Sequence, residues 1–363
     1  MGYATSSRTA SSGVWLSVPK AAVVGCAGPR LSEEERRLFR ASDPLGFILF
    51  SRNCVDPKQL RALVDDLRTV VGRDDALVLI DQEGGRVQRL GPPHWPAYPA
   101  GAVYGALYDR DPTGALATCR LAGRLIGNDL NALGLDVDCL PLADVLSPGA
   151  DPVIGDRAYG SVPGKVAAIA GAIAEGLLAA GVLPVVKHLP GHGRATADSH
   201  LKLPVVDTDR ATLEATDFSA FQPLAGLPLG MTAHVVFSAI DPDAPATTSA
   251  TMVREVIRGF IGFRGLLMSD DVSMKALSGT IAERSRAAFA AGCDVVLHCN
   301  GDLAEMAQVA AEAPPLAGEA GQRADAALAQ RRAPEEFDVD AARTMFTQIV
   351  ASEQPSPQRK TGS

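Results

Sequence analysis

The six cysteines (Cys26, Cys54, Cys119, Cys139, Cys293 and Cys299) form no C-x-x-C pair. Most sit inside apolar runs such as "AAVVGCAG" and "GCDVVLHCN", where a cysteine behaves as a small buried hydrophobe. Scattered free thiols in a chain of 363 residues exclude a disulfide scaffold and fit a reducing cytoplasm. A basic surface is also missing. With 34 Lys and Arg against 42 Asp and Glu the net charge is −8, which excludes a general nucleic-acid binder. Long apolar runs are scarce as well. The most apolar helix, "AAIAGAIAEGLLAAG", carries Glu175 and runs straight into a strand, so it reads as buried and not as membrane-spanning. "VVGC" at residues 23–26 is a poor lipoprotein site, because Pro19 and Lys20 interrupt the apolar run it requires, and "MGYATS" matches a myristoylation spacing only loosely. There is no Pro/Gly/Ser linker, internal repeat or low-complexity tract. A soluble, cytoplasmic monomer without a membrane or nucleic-acid partner is the expectation.

What is present is alternation. Short apolar runs lie at 21–28, 46–50, 76–85, 135–145, 182–191, 228–237, 265–271 and 293–299. Amphipathic stretches separate them, among them 57–71, 115–134, 253–262 and 281–292. Continuously apolar strands alternating with helices predict a parallel sheet covered by helices. Eight such units point to a single-domain α/β fold, a (β/α)8 TIM-like barrel, with a doubly wound open sheet as the alternative. At 47% hydrophobic and 21% charged residues, material for a large core is ample. The expected layout is a flexible lead over 1–20, the catalytic barrel over 21–350 with extra C-terminal helices, and a disordered polar tail over 351–363.

The strand ends are polar. The third closes on Asp81, Glu83, Arg86 and Arg89, the fifth on Lys187 and His188, the sixth on His234, and the seventh on Ser269, Asp270 and Asp271. In a barrel these positions open on the C-terminal face, where active sites lie. One such aspartate is readily a helix cap, but four polar endings together call for pairing or use. The stretch "KHLPGHGRATADSH" (187–200) holds three of the six histidines. It could bind metal through His188, His192, Asp198 and His200, although Pro190, Gly191 and Gly193 make the helix such a pair needs improbable. As a phosphate cradle it lacks nucleotide-loop spacing. As an acid–base pair, Asp198 would orient His200 for proton transfer near neutral pH. On the residues alone this stands level with Asp198 merely tethering a loop.

Taken with "DQEGGRVQRL", "IGDRAYG" and "MSDDVSM", in that order, the stretch resembles glycoside hydrolase family 3, and within it the single-domain bacterial β-N-acetylglucosaminidases of peptidoglycan recycling. The resemblance implies a nucleophile at Asp270, a proton donor at His200 oriented by Asp198, and sugar contacts from Asp81, Arg89, Arg157, Lys187 and His188. It implies a GlcNAc-containing muropeptide as substrate and neither cofactor nor metal. A phosphorylase of the same family and a zinc hydrolase are the alternatives. His234 and Asp271 are possible contributors; a satisfied strand-end histidine and a cap or supporting group are their plainer readings. Glu83 and Arg86 are expected to pair with each other or with neighbouring loops, outside the site. His192 is expected to fix its loop and Arg52-Asn53 to anchor the loop after the second strand, while His298 and Asn300 carry no assignment.

Overall fold

The computed structural model describes residues 18–199 and 202–351. Eight parallel strands close into a barrel: β1 (Lys20–Gly25), β2 (Pro44–Leu49), β3 (Leu77–Ile80), β4 (Val137–Asp138), β5 (Leu183–Leu189), β6 (Leu229–Thr232), β7 (Leu266–Asp271) and β8 (Val295–His298). Each pairs with its neighbours in chain order, and β8 returns to β1 through Ala22–Val296 and Val23–Leu297. The open-sheet alternative is thereby removed.

Alternation of side chains along each strand produces two cores. Ala21, Val23, Leu79, Val137, Val185, Met231, Met268 and Leu297 fill the barrel. Val24, Phe47, Val78, Val186 and Val296 face outward onto the helices. Both faces of the strands are buried, which is why they read as apolar runs without a period of two.

The helices begin and end where local chemistry dictates. α1 (Glu33–Ser42) starts at a capping box of Ser32 and Glu35. α2 (Pro57–Val71) has Asp56 as its cap, Pro57 in its first turn and Gly72 at φ 67° after its end. Then come α3 (Gly101–Arg110), α4 (Pro112–Asn131), α5 (Pro163–Ala179) and the short α6 (Arg210–Ala215). The helix expected over 253–262 is a π-helix, Met252–Phe260. α7 (Ile281–Ala291), α8 (Leu303–Glu312), α9 (Gly318–Leu328) and α10 (Val339–Ala351) follow. α9 and the residues just before it close the floor of the barrel: Leu316, Ala324 and Ala327 join the interior core, and Arg323 grips Asp294 just before β8 with 2.8 Å between Nη2 and Oδ1.

Two expectations shift. Residues 135–145 pair on both sides only at Val137–Asp138, because Pro141 has no N–H to give the ladder. The segment still follows β5 as far as Ala143, whose N–H donates to Lys187 O at 2.7 Å, and so delivers Asp144 to the top of the barrel. The run 76–85 divides into β3 and a small hairpin pairing Gln82–Gly84 with Val87–Gln88. The lead and the tail fall almost wholly outside the described residues. Among the described residues no helix is long and apolar enough to cross a membrane.

Candidate active site

A cavity of about 410 Å³ opens at the C-terminal ends of the strands, within the size range of small-molecule sites. Its lining brings together Asp81, Arg89, Arg157, Lys187, His188, Asp270 and Asp271 from four separate stretches of the chain.

One wall is a buried charge cluster. Lys187 Nζ lies 2.9 Å from Asp81 Oδ1 and 2.7 Å from Glu83 Oε1. Arg89 Nη2 holds the other Asp81 oxygen at 2.9 Å. Arg157 grips Glu83 with two prongs, Nε at 2.8 Å and Nη2 at 2.7 Å. Burial alone would drive the proton off Lys187, but Asp81 and Glu83 outweigh it and hold the ammonium pKa above its ordinary value. Burial would likewise raise Asp81 and Glu83, and the facing Lys187, Arg89 and Arg157 pull both below the usual carboxylate range. Asp138, fully buried beneath the cluster, goes the other way: burial pushes its pKa well up against the Gln82 N–H and Lys187. Three cations (Lys187, Arg89, Arg157) interlock with two anions (Asp81, Glu83) along this wall.

The second node is Asp144, with no exposed surface. Its Oδ2 accepts from His188 Nδ1 at 2.7 Å, and its Oδ1 from the His192 N–H at 2.7 Å. Burial opposes ionisation of Asp144, yet His188 and the His192 N–H hold its pKa down at about 2. A carboxylate only accepts, so the His188 proton sits on Nδ1 and Nε2 is the ring's remaining polar atom. His192 is buried, lines the cavity, and reaches Ser199 Oγ through Nε2 at 3.1 Å. Burial, helped by His188, lowers its pKa to about 4 against the opposing pull of Asp144 and Asp270.

Opposite stands the end of β7. Asp270 Oδ1 accepts the Asp271 N–H at 2.8 Å, which sets the carboxylate's rotation. Asp271 accepts from Ser273 N, Ser273 Oγ and Cys299 N at 2.9, 2.7 and 3.1 Å.

A cavity at the strand ends, an aspartate facing it, and a wall of fixed donors and acceptors suit recognition of a polyhydroxylated ligand. The Glycosyl hydrolase family 3 N terminal domain matches residues 15–329. The chain belongs to glycosyl hydrolase family 3. A beta-hexosaminidase of Alkalilimnicola ehrlichii is 45% identical over 282 residues, 77% of this chain and 80% of that one. NagZ from Neisseria gonorrhoeae in complex with N-trifluoroacetyl-D-glucosamine superposes with a TM-score of 0.79 at 30% identity, covering 92% of this chain and 97% of that one. The same protein in complex with zinc ion superposes at 0.77 with 29% identity, covering 92% and 97%. The enzyme class shared with these relatives is that of the β-hexosaminidases, which are glycoside hydrolases.

In this family 3 enzyme Asp81, Arg89, Arg157, Lys187 and His188 all converge on the cavity with Asp270. Asp198 is half-buried on the loop leading to Ser199, which lines the cavity. His200 lies outside the described residues. Glu83 needs correction: it pairs with Lys187 and Arg157 inside the site's charge cluster, because the tight hairpin after β3 turns it inward. Arg86 pairs with a neighbouring loop as expected, at 3.2 Å from Asp156 and on the carbonyls of 152–154, but it lines the cavity and does not lie outside the site. His234 is fully buried and absent from the cavity lining. Arg52 and Asn53 anchor their loop on the carbonyl of Cys26, at 3.0 and 3.1 Å. His298 and Asn300 share Glu305, at 3.0 and 2.6 Å. Asp138 and Asp144 went unnoticed in the sequence. Asp144 had one available signal: a carboxylate that closes an apolar run must be paired or used. Among the described residues no group of three or more His, Cys, Asp and Glu is placed to hold a metal.

Proposed function

We propose that this enzyme is an exo-acting, retaining β-N-acetylglucosaminidase that removes the non-reducing-end GlcNAc from GlcNAc–1,6-anhydroMurNAc peptides in cytoplasmic cell-wall recycling. The observation that carries the reading is Asp270, rotationally fixed by the Asp271 N–H, in one cavity with Lys187, Arg89, Arg157, Asp81 and His188. The charged wall supplies donors and acceptors for sugar hydroxyls and the acetamido group, already held in place by mutual pairing.

Asp270 attacks the anomeric carbon while His200, oriented by Asp198, gives its proton to the leaving oxygen. The product is a glycosyl ester on Asp270 and a free aglycone. Neutral His200 then takes a proton from water, whose oxygen attacks the same carbon and releases Asp270. An imidazole titrates near ~6.5, so one side chain performs both transfers close to neutral pH. No step calls for a metal.

Turnover of a chromogenic aryl β-GlcNAc by the wild type and by Asp270→Ala tests the reading. The variant is expected to lose at least ~10³-fold in kcat, as when one member of a catalytic set is removed. Equal turnover would sink the assignment. Wild-type digestion of purified muropeptides, with and without inorganic phosphate, is expected to release free GlcNAc at the same rate. A phosphorylated sugar would mark a phosphorylase instead.

A further inference from the structure

His234 does not line the cavity, yet its hydrogen bonds lead to the nucleophile from two sides. Its Nε2 lies 2.9 Å from Asp271 O and its Nδ1 2.7 Å from Thr247 Oγ1. Thr247 Oγ1 is 2.8 Å from Thr232 Oγ1, and Thr232 Oγ1 accepts the Asp270 N–H at 3.3 Å. All three side chains have no exposed surface.

The donors can be assigned. Asp271 O only accepts, so Nε2 of the ring carries the proton. In the neutral ring Nδ1 then accepts, and the single Thr247 hydroxyl proton goes to it; Ala233 O, at 3.1 Å, is the longer competitor for that proton. The Thr232 hydroxyl must therefore donate to Thr247, which leaves its own lone pairs for the Asp270 N–H. Four hydrogen bonds run in one direction, from the Asp270 N–H through Thr232, Thr247 and His234 to the Asp271 carbonyl. They enclose the two residues whose backbone fixes the carboxylate, because the Asp271 N–H is what orients Asp270 Oδ1. Buried chains of this kind reinforce one another and have few alternative arrangements.

We propose that Thr247, Thr232 and His234 are positioning residues that hold the Asp270 carboxylate at its angle of attack. This rests on the reading of Asp270 as nucleophile. Misplacing a reacting atom by about 1 Å costs ~10²-fold, so the loss should fall on the glycosylation step and spare binding.

The test is Thr247→Val, nearly isosteric but without the hydroxyl, beside Thr247→Ser, which restores it. With an aryl β-GlcNAc whose phenol leaves without protonation, Thr247→Val is expected to lower kcat about 10- to 100-fold with KM within about twofold. Thr247→Ser should recover to within a few-fold of wild type. Because that leaving group needs no acid, the loss would report nucleophilic attack and not proton donation. If Thr247→Val fails to fold, His234→Gln against His234→Leu poses the same question, since glutamine can still donate to Asp271 O. Full wild-type kcat in folded Thr247→Val, or in folded His234→Leu, would overturn the inference. If Asp270→Ala is inactive while Thr247→Val is fully active, the inference alone fails. Activity in Asp270→Ala would remove its premise and overturn both.

Discussion

At the scale of single residues, the site is a set of charges that hold one another still. Lys187 is the centre: fully buried, it is tolerable only because Asp81 and Glu83 both reach it. Asp81, Lys187 and Asp270 were legible because a charge at the end of an apolar strand has nowhere to go but the barrel mouth, whereas Arg89 lies beyond the hairpin after β3. Arg157 sits in a loop with no such periodic signal and was visible only through the family motif. Glu83 was misjudged because its direction depends on a hairpin whose Gly84 has φ 95°. A Cβ at Gly84 would meet Pro99 O at 2.3 Å, so the turn is closed to other residues, and sequence spacing does not show where it points. The account predicts that Glu83→Gln, which keeps shape and removes charge, raises KM for an aryl β-GlcNAc about tenfold, ~1.4 kcal/mol. An unchanged KM would place Glu83 outside substrate binding.

At the scale of elements, the strands were readable because both faces are buried, and the helix ends because Ser32, Asp56 and Thr280 are strong caps. The two-residue pairing of β4 and the π-helical turns of Met252–Phe260 were not, since tertiary contacts set them and not local preference. The loop after β5 carries its own pH signature. Folded His192 titrates at about 4 against an ordinary 6.5, so between those values the unfolded chain binds more protons. Its contribution to stability is therefore full above pH 6.5 and lost as pH falls toward 4. Asp144, at about 2 against 3.8, adds a second loss only below about pH 4. Melting temperature measured against pH should fall across 6.5 to 4 in the wild type and be flatter there in His192→Gln. Parallel curves would show that His192 is not held neutral in the folded protein.

At the scale of the whole molecule, the barrel separates chemistry from support. The cavity gathers the strand C-termini, while Leu316 and, from α9, Ala324 and Ala327 seal the opposite end. Leu316→Ala should cost about 2–5 kcal/mol of stability, read from denaturant unfolding, and leave KM unchanged. A changed KM would mean that floor and mouth are coupled. Turnover should survive exhaustive chelation, because the proposed steps use only side chains. Activity lost to chelation and restored by zinc would favour a metal-dependent reaction. The central claim is a covalent glycosyl ester on one named carboxylate. A 2-deoxy-2-fluoro or 5-fluoro aryl glycoside that forms the ester faster than it is hydrolysed should label the protein once per chain. Peptide mass spectrometry should then find the sugar's mass on Asp270. Complete inactivation with the adduct on another residue, or turnover that inverts the anomeric configuration with no adduct, would contradict the account.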